Sequence, residues 1–181
     1  MKKSVLALAL GALFVSAGAM AADDDAITDG SVNFTGKVIA PACTLVAATK
    51  DSSVTLPDVS ATKLQTSGQE SGVKTDVPIE LKDCDVTVTK NAAFTFSAAQ
   101  DNNITTAFAN QATTGQATNV ALQMYMPNGT DKITPNTETA QDGIELVNGD
   151  QTLKFLVDYV ATGKATSGTV NAVVNFHINY Y

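Results

Sequence analysis

The stretch from Gly168 to Tyr181 limits what this chain can fold into more than any other. Ala172, Val174, Phe176, Ile178 and Tyr180 fall on one parity, and Asn171, Asn175, His177 and Asn179 fall on the other. A period of two over so long a run marks a β-strand with one buried face. No partner strand follows it in the sequence, so its neighbours are expected elsewhere in the fold. Two readings stand: the final strand of a β-sandwich core, or the edge of a groove that accepts a strand from another molecule.

Shorter runs of the same kind recur along the chain. From Gly30 to Val38 the even positions read Gly, Val, Phe, Gly, Val, and the odd ones Ser, Asn, Thr, Lys. Ile27 joins that apolar face only across a bulge near Asp29 and Gly30. Val54 to Leu56, Val77 to Cys84, Phe94 to Phe96, Val120 to Met126 and Leu153 to Tyr159 alternate in turn, and Pro78 places the second of these at a sheet edge. Between them lie polar loops, the hairpin dipeptides Asn128-Gly129, Asp142-Gly143 and Asn148-Gly149, a loop from Gln111 to Asn119, and one short helical turn near Ser60 to Leu64. No stretch sustains a 3.6-residue period. The expected class is all-β, a sandwich.

Met1 to Ala21 reads as an export signal. Lys2 and Lys3 precede an apolar run from Val5 to Val15, and Ala19-Met20-Ala21 forms the small-x-small cleavage site. The apolar run is too short for a membrane span, and no membrane insertion of the mature chain is expected. Residues 22–181 suit one domain. An exported chain matures in an oxidising compartment, so Cys43 and Cys84, the only two cysteines, are expected to pair. Closing a loop of about forty residues contributes roughly 4 kcal/mol in the chain-entropy model. A metal pair and a reactive thiol are the alternatives, and two thiolates without nearby histidines make a weak zinc site.

Composition removes several function classes. Eleven Lys and Arg stand against 18 Asp and Glu, and every basic residue is Lys. Nucleic-acid recognition leans on basic patches and Arg forks, so no nucleic-acid partner is expected. The single histidine, His177, sits on the polar parity of the last strand. It cannot build a three-histidine zinc site, and nothing in the sequence points to a serine beside it. Gly30 and Gly36 lack phosphate-loop spacing, and Asp23-Asp24-Asp25 lacks the spacing of an EF-hand loop. The expectation is therefore no enzyme, with no catalytic, metal-binding or cofactor-binding residue.

Taken together and in order, these segments resemble the pilin subunits of chaperone–usher fimbriae, most closely the major shaft subunit of type 1 fimbriae. Val32 to Val38 before Ala42-Cys43 is similar to the family's N-terminal extension running into its first strand. Val77 to Cys84 is similar to the strand that ends in the second cysteine, and Phe155 to Gly163 to the penultimate strand. Gly168 and the penultimate Tyr180 match the family's C-terminal signature, although Tyr181 stands where many relatives end in a polar residue.

The resemblance implies an incomplete immunoglobulin-like sandwich that lacks its last strand and is completed by donor-strand exchange. Residues 22–36 would be the donor-strand extension and residues 37–181 the pilin domain. It places donor positions at Ile27, Gly30, Val32 and Phe34. It places the C-terminal strand used by chaperone and groove at Gly168, Val174, Phe176, Ile178 and Tyr180. The implied partners are identical or related pilin subunits, a periplasmic chaperone and an outer-membrane usher, and the implied location is a cell-surface fimbria reached through the periplasm. The expected function is a polymerising structural subunit that supports adhesion. A tip adaptor pilin and a self-contained secreted ligand-binding sandwich are the alternatives.

Overall fold

The alternating runs at Val77 to Cys84, Phe94 to Phe96, Val120 to Met126 and Leu153 to Tyr159 fall in strands, while Val54 to Leu56 forms none. The computed structural model describes residues 31–35 and 42–181. The expected signal and the donor positions Ile27 and Gly30 lie outside the described residues. The chain divides into two units, Met1–Lys37 and Val38–Tyr181. Of the first, residues 31–35 form no strand and are exposed, Val32 at 76% and Phe34 at 92%.

The second unit contains, in order, β1 (Thr44–Leu45), a short helix α1 (Ala47–Lys50), a 3-10 turn (Ala61–Lys63), β2 (Thr75–Cys84), β3 (Asn91–Ser97), β4 (Phe108–Ala109), β5 (Val120–Tyr125), β6 (Lys132–Ile133), β7 (Ile144–Glu145), β8 (Gly149–Ala161) and β9 (Asn175–Tyr180). One sheet runs β1-β2-β8-β5-β4, with β6 added to β5; the other runs β7-β3-β9. All the strand pairs are antiparallel. The sheets meet through aromatic rings. Phe155 of β8 packs edge-on against Phe94 and Phe96 of β3, with centroids 4.9 and 5.0 Å apart. Such pairs stabilise by about 0.5–1.5 kcal/mol beyond their buried area.

Cys43 and Cys84 are bonded, joining the start of β1 to the end of β2. The Gln151 amide of β8 donates to Cys84 Sγ at 3.2 Å. Pro78 sits where the sequence suggests. Even residues of β2 turn their backbone groups toward β1, as the Val46 N–H to Glu80 O bond of 3.1 Å marks. β1 reaches only Leu81 and Lys82, so the missing N–H of Pro78 falls on an unpaired side.

Two expectations change. Val120 to Met126 alternates as though one face were wet, yet every residue of β5 is buried. Its outer face is covered, and Gln123 is accommodated there by donating to the Met124 and Ile133 carbonyls at 3.0 and 3.1 Å. The stretch from Gly168 to Tyr181 is regular strand only from Asn175 onward. β3 ends opposite Asn175, at Ser97, so residues 168–174 find their pairing elsewhere.

Candidate strand-accepting groove

The C-terminal segment is paired along one edge only. Tyr181 and Asn91 exchange both backbone bonds, at 2.9 and 3.0 Å. Bonded pairs alternate in an antiparallel ladder, so Asn179, His177 and Asn175 bond β3 in turn. Upstream, the residues 110–117 loop takes over the same role. Thr169 N–H donates to Gly115 O at 2.7 Å and Thr169 O accepts from Ala117 N–H at 2.9 Å. Asn171 O accepts from Gln111 N–H at 2.7 Å, and the Asn171 and Val173 N–H groups donate to the Asn110 and Gln111 side chains. Every odd residue thus has its backbone groups on the paired side. The even residues, Val170 to Tyr180, turn theirs outward along an edge that no described strand covers.

Those same even residues carry the apolar side chains. Val170, Ala172, Val174, Phe176, Ile178 and Tyr180 pack against the core cluster yet stay only half-buried. Beside them lies a groove of about 1240 Å³. Its floor includes the buried side chains of Phe96, Phe108, Leu122, Met124 and Val157. Its other wall is residues 52–59, an extended segment with Val54 and Leu56 turned half inward and no backbone–backbone hydrogen bond among the described residues. Burial pushes the Tyr180 phenol above its usual range, and burial followed by the nearby Asp58 carboxylate does the same for Tyr159. The groove offers apolar surface and two backbone edges, and its physical complement is an extended peptide with alternating apolar side chains.

Val174 and Phe176 line the groove, while Ile178 and Tyr180, on the same parity, pack against the core opposite Phe94 and Ala92. Gly168 lies seven residues before β9, where a Cβ would come within 2.4 Å of Ala117 N and 2.5 Å of Gly115 O. Val32 and Phe34 lie in the first unit. Sequence reasoning missed the second wall, although Val54-Thr55-Leu56 before Pro57 was its signal, and it missed the pairing role of Asn110 and Gln111. His177 is exposed, with Nε2 3.0 Å from Asn179 Oδ1. On that outer face Glu138 accepts from the Tyr181 hydroxyl at 2.7 Å and from the Asn179 amide, and these bonds hold its carboxyl below the usual range.

A sandwich with one strand's length of hydrogen-bonding edge and core left open is an incomplete one, here of the immunoglobulin-like kind. A solved structure of a chaperone–usher pilus matches it with a TM-score of 0.65 and 21% identity, over 85% of this chain and 96% of that one. The family model described as Fimbrial protein matches residues 32–181, and the chain belongs to that family. The Fimbrial subunit ElfA and the Laminin-binding fimbrial subunit ElfA, from two Escherichia coli strains, are each 71% identical over the whole of both chains. The Fimbrial subunit type 1 of Klebsiella pneumoniae is 33% identical, with 98% of each chain covered. This protein is a structural subunit of a cell-surface fimbria. Among the described residues no helix is long and apolar enough to cross a membrane.

Proposed function

We propose that this subunit builds the fimbrial shaft by donor-strand exchange, with no catalysis. The groove of one molecule takes the N-terminal extension of the next, residues 22–36, as the missing strand. One observation carries the reading: an open groove between two unpaired backbone edges coexists with an exposed, alternating segment in the same chain. Side chains two residues apart on a strand share a face, so Gly30, Val32 and Phe34 enter together. Ile27, Val32 and Phe34 contribute about 1.5–3 kcal/mol each on full burial. Each backbone hydrogen bond along the two edges adds roughly 1 kcal/mol. Gly30, without a side chain, leaves space at one point of the groove. An unfilled groove exposes core and edge together, which is an aggregation hazard. A periplasmic chaperone therefore fills it first, against Val174, Phe176, Ile178 and Tyr180, and an outer-membrane usher exchanges chaperone for subunit.

The test compares two substitutions. Phe34→Asp places a carboxylate in the neighbour's core, with a desolvation cost of several kcal/mol. The subunit should still fold and co-purify with its chaperone while forming few or no filaments. Phe176→Asp damages the subunit's own groove wall, and chaperone-bound material should be scarce. Equal loss of chaperone-bound subunit for both would make Phe34 an ordinary core residue and the sandwich self-complete.

A further inference from the structure

The two ends of the second unit differ in charge. β8, thirteen residues long, runs from Gly149, opposite Cys84, to Ala161, whose carbonyl accepts from Gly68 N–H at 2.8 Å. That length spans roughly 43 Å and defines two poles. At the disulfide pole the chain enters beside Asp85, whose N–H donates to Ala42 O at 2.7 Å. Leu146 N–H donates to Lys90 O at 2.8 Å and Val86 N–H to Asn148 Oδ1 at 3.0 Å, so residues 82–90 and 145–150 lie side by side. Together they hold Asp83, Asp85, Glu145 and Asp150 against Lys82 and Lys90. Val88 and Val147 are exposed among them, at 46% and 56%.

At the opposite pole Ala165 N–H donates to Leu64 O at 2.9 Å, and the Asn119 amide donates to Lys164 O at 2.9 Å. Residues 60–69, 115–119 and 162–168 are tied together there. They carry Lys63 and Lys164, both exposed; the carboxylates flanking them are Asp58, beside Val59 of the same cluster, and Glu70, which is paired with Lys132 at 2.8 Å.

We propose that consecutive subunits dock pole to pole, with the acidic disulfide pole of the donor seated on the lysine-bearing pole of the acceptor and Val88 and Val147 as the apolar part of the contact. The inference rests on the donor-strand reading. With Phe34 seated in the acceptor, the donor's own Ala42 follows eight residues later, at most about 28 Å away. The disulfide pole of the donor is thereby held against the acceptor. A head-to-tail contact propagates into a filament. Two disulfide poles facing each other would bring like charges together and oppose docking. Opposite charge steers the encounter and fixes its orientation.

The test follows polymerisation of the full mature chain by light scattering and electron microscopy. Lys63→Glu combined with Lys164→Glu makes both poles acidic and should slow polymerisation about tenfold at low ionic strength. The deficit should shrink in high salt. Lys63→Gln with Lys164→Gln should give an intermediate rate. Adding Glu145→Lys and Asp150→Lys to the double Glu variant inverts both poles and should restore the rate. A synthetic peptide of residues 22–36 should bind all these chains as it binds the parent. With peptide binding intact, an unchanged rate in the double Glu variant, or no recovery in the fourfold one, overturns the pole contact and leaves the donor reading standing. Failure of the peptide to bind the parent chain overturns the donor reading, and the pole contact with it.

Discussion

Gly168 is exposed, which by itself would suggest that any residue fits there. The backbone of residues 115–117 decides otherwise, because it passes where a Cβ would stand, and neither segment can move without breaking the Thr169 bonds. Gly168→Ala should destabilise the donor-filled subunit by about 1–3 kcal/mol, the usual cost of overpacking. Chemical denaturation of the peptide-filled chain measures it, and a difference within error would mean that the loop simply shifts. Asp158 illustrates the same dependence on neighbours. It is a buried carboxylate on β8, tolerated because it accepts from the Ser71 hydroxyl at 2.5 Å and from Gly72 N–H at 3.0 Å. Glu138 is half-buried, and its bonds from Tyr181 and Asn179 favour the charged form. A carboxyl lowered in the folded state stabilises above its unfolded value, and that contribution fades as pH falls through the folded one.

At the scale of elements, the C-terminal segment is two half-strands with one shared parity. Its odd residues are bonded by β3 or by the residues 110–117 loop, and the backbone groups of its even residues lie on the unpaired edge. Residue-resolved hydrogen exchange should therefore alternate in the unfilled subunit. The amides of Ala172, Val174, Phe176, Ile178 and Tyr180 should exchange quickly, while those of His177, Asn179 and Tyr181 are protected. Adding a peptide of residues 22–36 should protect the even set and leave the odd set unchanged. Uniform protection before the peptide is added would mean that the even edge is already paired. The wall formed by residues 52–59 should gain protection in the same experiment, because its backbone groups lack partners until a strand arrives.

For the whole molecule, the open groove makes stability depend on its occupant. A ligand that binds only the folded state stabilises by mass action. Donor peptide at a hundred times its dissociation constant adds about 2.7 kcal/mol, or roughly 5–10 °C in Tm for a domain of this size. Thermal scans at rising peptide concentration should show this shift, and a Tm independent of peptide would argue for a self-complete sandwich. The Cys43–Cys84 bond acts differently. It constrains the unfolded chain by roughly 4 kcal/mol in the entropy model and holds β1 beside the end of β2, whatever the groove contains.

Local pattern alone marked the long strands of the second unit, which residues turn inward along the C-terminal run, and where Pro78 could stand, but it also marked Val54 to Leu56 and residues 168–174, which alternate without forming strand. Side-chain parity and the missing proline N–H are properties of the chain itself, visible before any partner strand is known. The dipeptides Asn128-Gly129 and Asn148-Gly149 likewise marked turns, and Gly129 and Gly149 both take positive φ, at 74° and 85°. Tertiary structure alone decided the rest. β5 is covered on both faces because distant loops fold over it, which no alternation within Val120 to Met126 can report. The second groove wall, the pairing by Asn110 and Gln111, and the opposed charges of the two poles all join residues far apart in sequence. Their pairing is set by packing and hydrogen-bond satisfaction in three dimensions, and period-two alternation carries no information about which distant segment will meet which.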